Sequence, residues 1–148
     1  MAHANAELSH DMVERLGAPV LWSERWSEDT SSVEISQITP VLAVMASRGP
    51  GHPNSKPFYA EHAPRICARP GSQIFWDLGS LTSTDLGVVR TCLGIGKANR
   101  ANLGAVHMFY DSPLVGMAVT VGNVALGGLL QLYREPEPFV AAFLDLGA

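Results

Sequence analysis

"IFWDLGSLTSTDLGVV", residues 74–89, decides the fold. Ile74-Phe75-Trp76 is an apolar run of strand character ending in Asp77, and the wider segment 72–78, "SQIFWDL", reads as one strand. After a short loop come Thr82, Ser83, Thr84 and Asp85, and then an apolar pattern of helical period that predicts a helix over about 84–100. Capping that helix needs only one of those four polar side chains. A Ser or Thr ahead of a helix satisfies orphan N–H groups, and an Asp in its first turn complements the dipole. The surplus invites a second reading, because α/β sheets carry their sites where strands end and helices begin. A phosphate on a hydroxyl there would meet the favourable end of the helix dipole and add about two negative charges.

Outward from this joint the same alternation recurs. "VEIS" alternates from Val33, and "PVLAVMAS" (40–47) is a continuous apolar run suited to a central strand. "RGPGHPNSKP" (48–57) is a Gly/Pro loop, and "FYAEHAPRICAR" (58–69) reads as a helix that Pro64 kinks or breaks. "GAVHMFYD" (104–111) is another strand. In "SPLVGMAVTVGNVALGG", Ser112 is a natural N-cap, Pro113 takes the first helical position and Gly127 closes the helix. "LLQLY" (129–133) gives a short last strand, and "PEPFVAAFLDL" a closing helix with Phe139, Phe143 and Leu146 at helical spacing. Strand–helix alternation of this kind places strands side by side in parallel. The expectation is α/β: a mixed, mostly parallel sheet of 4–5 strands with about four helices over residues 33–148. Residues 1–32 form an N-terminal helical arm ahead of it. Trp22 and Trp26, four apart, share a face whether the arm is helix or strand there, and dock it onto the core.

The totals exclude several functions. At 148 residues the chain fits one domain, with 47% hydrophobic and 16% charged residues. The net charge is −4 and the ten Lys and Arg residues are dispersed, so neither nucleic acid nor an anionic membrane surface is an expected partner. No apolar run reaches the ~18 residues of a membrane span, and "MAHANAELSH" lacks the layout of a signal peptide, so a cytoplasmic location is expected. Cys67 and Cys92 have no paired spacing and are expected to be free, buried thiols.

The joint resembles that of STAS domains, the fold of anti-sigma factor antagonists and of the cytoplasmic tails of sulfate transporters. The family motif is a strand ending in Asp, a loop, and Asp-Ser-Ser-Gly-Leu-Gly opening a helix. Asp77 takes the place of the strand-end acid, Ser83 and Thr84 those of the two hydroxyls, and Leu86-Gly87-Val88-Val89 that of the helix start. Thr82 replaces the family's Asp and Asp85 its Gly, the latter placing a carboxylate beside Thr84. The resemblance implies a non-catalytic bacterial signalling domain whose partner is a protein, an anti-sigma factor or serine kinase in type. Thr84, with Ser83 second, would be the phosphorylated switch. The docking surface would comprise Asp77, Thr82, Asp85 and Leu86, with Arg90 and Lys97 on the outer face of the helix.

Other constellations are weaker. "GIGKANR" (94–100) falls inside the expected helix and lacks the P-loop hydroxyl at Ala98. The five histidines have no metal-ligand spacing, so neither metal nor cofactor is expected. His107 reads as a sheet-face residue, and Asp77 and Asp111 end strands with no oriented partner, so no enzyme is expected. "VGMAVTVGNVAL" is apolar almost all round, which predicts burial, a homodimer face, or one wall of a small apolar ligand cavity lined by Val115, Met117 and Val119.

Overall fold

The computed structural model describes residues 8–147, so residues 1–7 of the expected arm lie outside the described residues. Helix α1 (Leu8–Leu16) leads into three antiparallel strands, β1 (Trp22–Glu28), β2 (Ser31–Thr39) and β3 (Leu42–Arg48). Then follow α2 (Lys56–His62), β4 (Ser72–Leu78), α3 (Leu86–Ala98), β5 (Leu103–Tyr110), α4 (Pro113–Ala125), β6 (Leu130–Tyr133) and α5 (Pro136–Gly147). The six strands form one mixed sheet in the order β1-β2-β3-β4-β5-β6, with β3 to β6 parallel. A parallel pair needs a crossover, and crossovers of one hand between successive neighbours place their helices on one face. Accordingly α2, α3 and α4 cover one side, while α1 and α5 cover the other.

The sheet is larger than expected because it starts at Trp22 rather than Val33. "WSERWSE" is an edge strand, paired along its length with β2 from Trp22↔Gln37 to Glu28↔Ser31. The four-residue tryptophan spacing belongs to strand alternation here. Both rings lie against α2 and the segments on either side of it: the Arg65 guanidinium sits 3.6 Å over Trp22, and Trp26 meets His52 at 5.6 Å. The expected docking role of the two rings is therefore met by a sheet edge, not by an arm.

Alternation along β4 sorts the two cores. Phe75 points towards α1 and α5, where Phe109, Phe139 and Phe143 join it, all four at most 2% exposed. Phe75 meets Phe139 and Phe143 edge-on at 5.6 and 5.3 Å, which suits the ring quadrupoles. Full burial of each ring contributes roughly 1.5–3 kcal/mol. Ile74, Trp76 and Leu78 point the other way, towards α2, α3 and α4. Leu146, expected beside Phe139 and Phe143, is 49% exposed, because the last turn of α5 runs beyond the core.

Local chemistry explains most element ends. Pro64 ends α2, and the chain continues as a 3-10 turn over Ala63–Cys67. The Ser112 hydroxyl accepts from Val115 N–H, Pro113 opens α4, and Gly127 and Gly128 follow it with φ of +65° and +79°.

Candidate recognition site

Two loops build the corner after β4. Gly49 N–H donates to Ser80 O at 2.9 Å, Thr82 N–H to Gly49 O at 2.9 Å, and Gly51 N–H to Ser83 O at 2.9 Å. Segments 49–51 and 80–83 thus run together as a short extension of the sheet. Glycine is required at both anchor points. Gly49 has φ +75° and a Cβ there would run into the Thr30 carbonyl, while a Cβ at Gly51 would stand 2.6 Å from Asp85 N.

The cap is supplied by the carboxylate. Asp85 Oδ2 accepts from Val88 N–H at 3.0 Å, so α3 starts at Leu86, two residues later than expected, and ends at Ala98. Among the described residues, the hydroxyls of Thr82, Ser83 and Thr84 make no hydrogen bond, and Thr82 and Thr84 are exposed. They are surplus to capping, as the sequence suggested. Leu86 is 62% exposed, and Arg90 and Lys97 are exposed on the same side of α3, at helical spacings of four and eleven residues from it.

Asp77 is not part of this surface. It points to the opposite side of the sheet, 2% exposed, beneath the start of α1. Its Oδ1 accepts from Gly79 N–H at 2.9 Å, and Arg48, on the same side, donates to Ser9 Oγ at 3.1 Å. Burial pushes the Asp77 carboxyl up to about 6, opposed by the Gly79 N–H, the nearby Arg48 charge and the Ser9 N–H. The strand-end acid therefore joins α1 to the sheet, and a partner reaches it only if α1 leaves. The expectation that Asp77 contacts a partner directly is corrected by this placement, because the β4 pleat turns Asp77 away from Trp76 and Leu78.

On α4, Leu114, Met117, Val121 and Val124 are 64–80% exposed and lie three, four and three residues apart, one stripe along the helix. Between α3 and α4 runs a groove with Thr84 and Leu86 at its head and Val89, Leu93, Met117 and Val121 along its walls. The apolar circumference of α4 is thus divided. Val115 and Val119 face the sheet at 0% and 7% exposure, and Met117, expected beside them, faces outward.

Helix α3 rests on the sheet loosely. Its apolar stripe of Val88, Val89, Cys92, Leu93, Ile95 and Gly96 is half-buried throughout, and no residue of the helix is buried. Beneath it lies an apolar space of about 160 Å³, walled by Val88, Cys92, Ile95, Trp76, Met108 and Val119. Cys92 is half-buried and Cys67 buried, both free. The all-round apolar character of 113–126 pointed to a small apolar cavity, and Val115 and Val119 line this space while Met117 lines the groove. That α3 roofs the space left no local pattern in the sequence.

The remaining candidates are accounted for structurally. His107 stacks on Phe75 at 4.1 Å and bonds to Tyr133 Oη at 2.9 Å and Gln73 Oε1 at 3.0 Å, while burial lowers its pKa. Gly94 to Ala98 lie within α3 and Asn99 closes it, so no phosphate loop forms. No described helix is long and apolar enough to cross a membrane. The chain matches no family model, no curated protein and no solved structure.

Proposed function

We propose that the chain is a non-catalytic, STAS-like regulatory domain that works by binding another protein at the head of α3 and along α4. The observation that carries this reading is the set of exposed large apolar side chains, Leu86, Met117 and Val121 lining one groove and Leu114 and Val124 extending the same stripe along α4. Water-facing apolar surface gathered in one place marks an interface more often than a free surface. Arg90 and Lys97 border it, so the fitting partner presents an apolar ridge with acidic flanks.

Thr84 stands at the head of that groove, one residue ahead of the cap, with a free and exposed hydroxyl among the described residues. A phosphate there would place about two negative charges beside Asp85 and next to the apolar groove. Its effect would be to expel an acidic-flanked partner. This is the switch the resemblance implies, with Ser83, half-buried, as the lesser candidate.

The test uses the whole chain as bait in extracts of its native host, with Met117→Glu and Val121→Glu as controls. A partner retained by the wild-type chain and lost from both variants supports the reading, and one lost also from Thr84→Glu supports the switch. Identical captured proteins for all four baits would overturn it. Light scattering after size exclusion identifies a second copy as the partner if a dimer forms and Val121→Glu splits it.

A further inference from the structure

We propose that the space between α3 and the sheet is a binding site for a small, neutral, apolar molecule about the size of one aromatic ring. It adjoins the groove between α3 and α4, sharing Thr84, Val89 and Leu93 with it, and its occupancy can be read with no protein partner present.

The size is the first argument. Protein interiors are close-packed, and voids larger than a water molecule are few. Here about 160 Å³ stays open under the middle helix of three. An apolar cavity of ~150 Å³ is enough to stay dry and take up benzene. The opposite face of the same sheet shows that this chain can pack solidly, with Phe75, Phe139 and Phe143 each at 0% exposure. The opening is therefore local to α3, whose inward residues Val88, Cys92 and Ile95 keep surface that only an occupant would cover.

The chemistry of the wall is the second. Its polar groups bond to one another: Trp76 Nε1–H donates to Ser47 Oγ at 2.9 Å, and Ser47 Oγ and Tyr59 Oη lie 2.6 Å apart. Water needs two to four polar partners to settle in a cavity, and these groups are already satisfied. Burial pushes the Cys92 thiol up to about 12 and the Cys67 thiol up to about 11, so both wall sulfurs are neutral at physiological pH. No charged group of the deep wall could pair with an ionic ligand. The charged and polar side chains, His52 and Asp85, belong to the rim, near Gly51 and Ser83. That rim is the route in, and it selects for a molecule that sheds little hydration on entering.

Toluene is the probe. Carbon-13 methyl spectra of the full chain, titrated with toluene, should shift the methyls of Val88, Ile95, Val119 and Met108 and leave those of Val13 and Val140 unmoved. The melting temperature should rise as toluene approaches saturation. Cys92→Leu and Cys92→Phe fill the space, so toluene binding should weaken at least tenfold in each variant that melts cooperatively. Should neither variant fold, xenon under pressure applied to the wild-type chain must move the same four methyls. Absence of any methyl shift in the folded wild type, water cross-peaks to these methyls, or unaltered toluene binding in a folded Cys92 variant would each overturn the proposal.

Discussion

The two faces of the sheet are built to different standards. Under α1 and α5 the packing is aromatic and closed, with Met12, Phe75, Phe139 and Phe143 at 0% exposure. Under α2, α3 and α4 it is mixed, with Tyr59 and Trp76 among aliphatic side chains, and partly open, and α3 buries no residue. The closed face also holds the buried Asp77 and His107, each fixed by hydrogen bonds. The open face holds the exposed hydroxyls, the groove and the apolar space. Stability is concentrated on one side of the sheet and accessible surface on the other, so substitutions on the two sides should differ in kind.

The largest expected effect tests the closed face. Phe143→Ala removes a ring that meets Phe75 at 5.3 Å and leaves a hole the neighbouring rings cannot fill. It should cost about 3–5 kcal/mol in denaturant unfolding. A loss under ~1 kcal/mol would mean that this core is softer than its burial indicates.

A matched pair sharpens the contrast. Val140→Ala and Val88→Ala delete the same atoms on opposite faces, Val140 being 7% exposed in the closed core and Val88 half-buried beside the open space. Val140→Ala should cost about 2 kcal/mol and Val88→Ala under ~1, because a side chain already next to a void loses fewer contacts. Equal losses would erase the distinction between the faces.

The third effect is a change of pH slope. The Asp77 carboxyl is raised in the folded state from 3.8 to about 6. The folded chain therefore holds that proton more tightly than the unfolded chain. This contribution to stability is complete below about pH 3.8 and is lost as pH rises through about 6. His107 works in the opposite sense. Its folded pKa is lowered from 6.5, so its contribution is present above 6.5 and lost as pH falls. In the wild-type chain the two partly cancel between pH 4 and 6.5. Asp77→Asn removes one of them, and urea midpoints of the variant should climb more steeply with pH across that window than those of the wild type. Parallel profiles would show that Asp77 is not the buried acid described above.

How much of this was legible in the sequence differs from element to element. β4 is found over its full length, 72–78, because a parallel central strand is apolar on both faces and has turn residues at each end. α4 was legible from Ser112, Pro113 and Gly127, whose chemistry acts locally. β1 was not. The only apolar side chains of "WSERWSE" are its two tryptophans, and a four-residue spacing fits period 2 as well as period 3.6. What makes it a strand is the ladder with β2, a non-local partner. The side of the sheet on which Asp77 lies follows from the pleat, yet the helix that covers it comes from sixty residues upstream. The hydroxyl cluster was found, but which member caps α3 depended on where that helix meets the 49–51 loop.

The smallest effect carries the functional reading of the corner. Asp85 and Thr84 are neighbours with different duties. Asp85 Oδ2 accepts from Val88 N–H, whereas the Thr84 hydroxyl has no partner among the described residues. Asp85→Ala should therefore cost about 1 kcal/mol, the ordinary value of a lost cap. Thr84→Val, which keeps the shape and removes the hydroxyl, should stay within ~0.5 kcal/mol of the wild type in thermal and urea unfolding. If Thr84→Val cost as much as Asp85→Ala, the hydroxyl would be structural and its exposure would need no partner. If it costs nothing, the fold itself has no use for the hydroxyl, and what retains it at the head of an apolar groove is contact with something outside the chain.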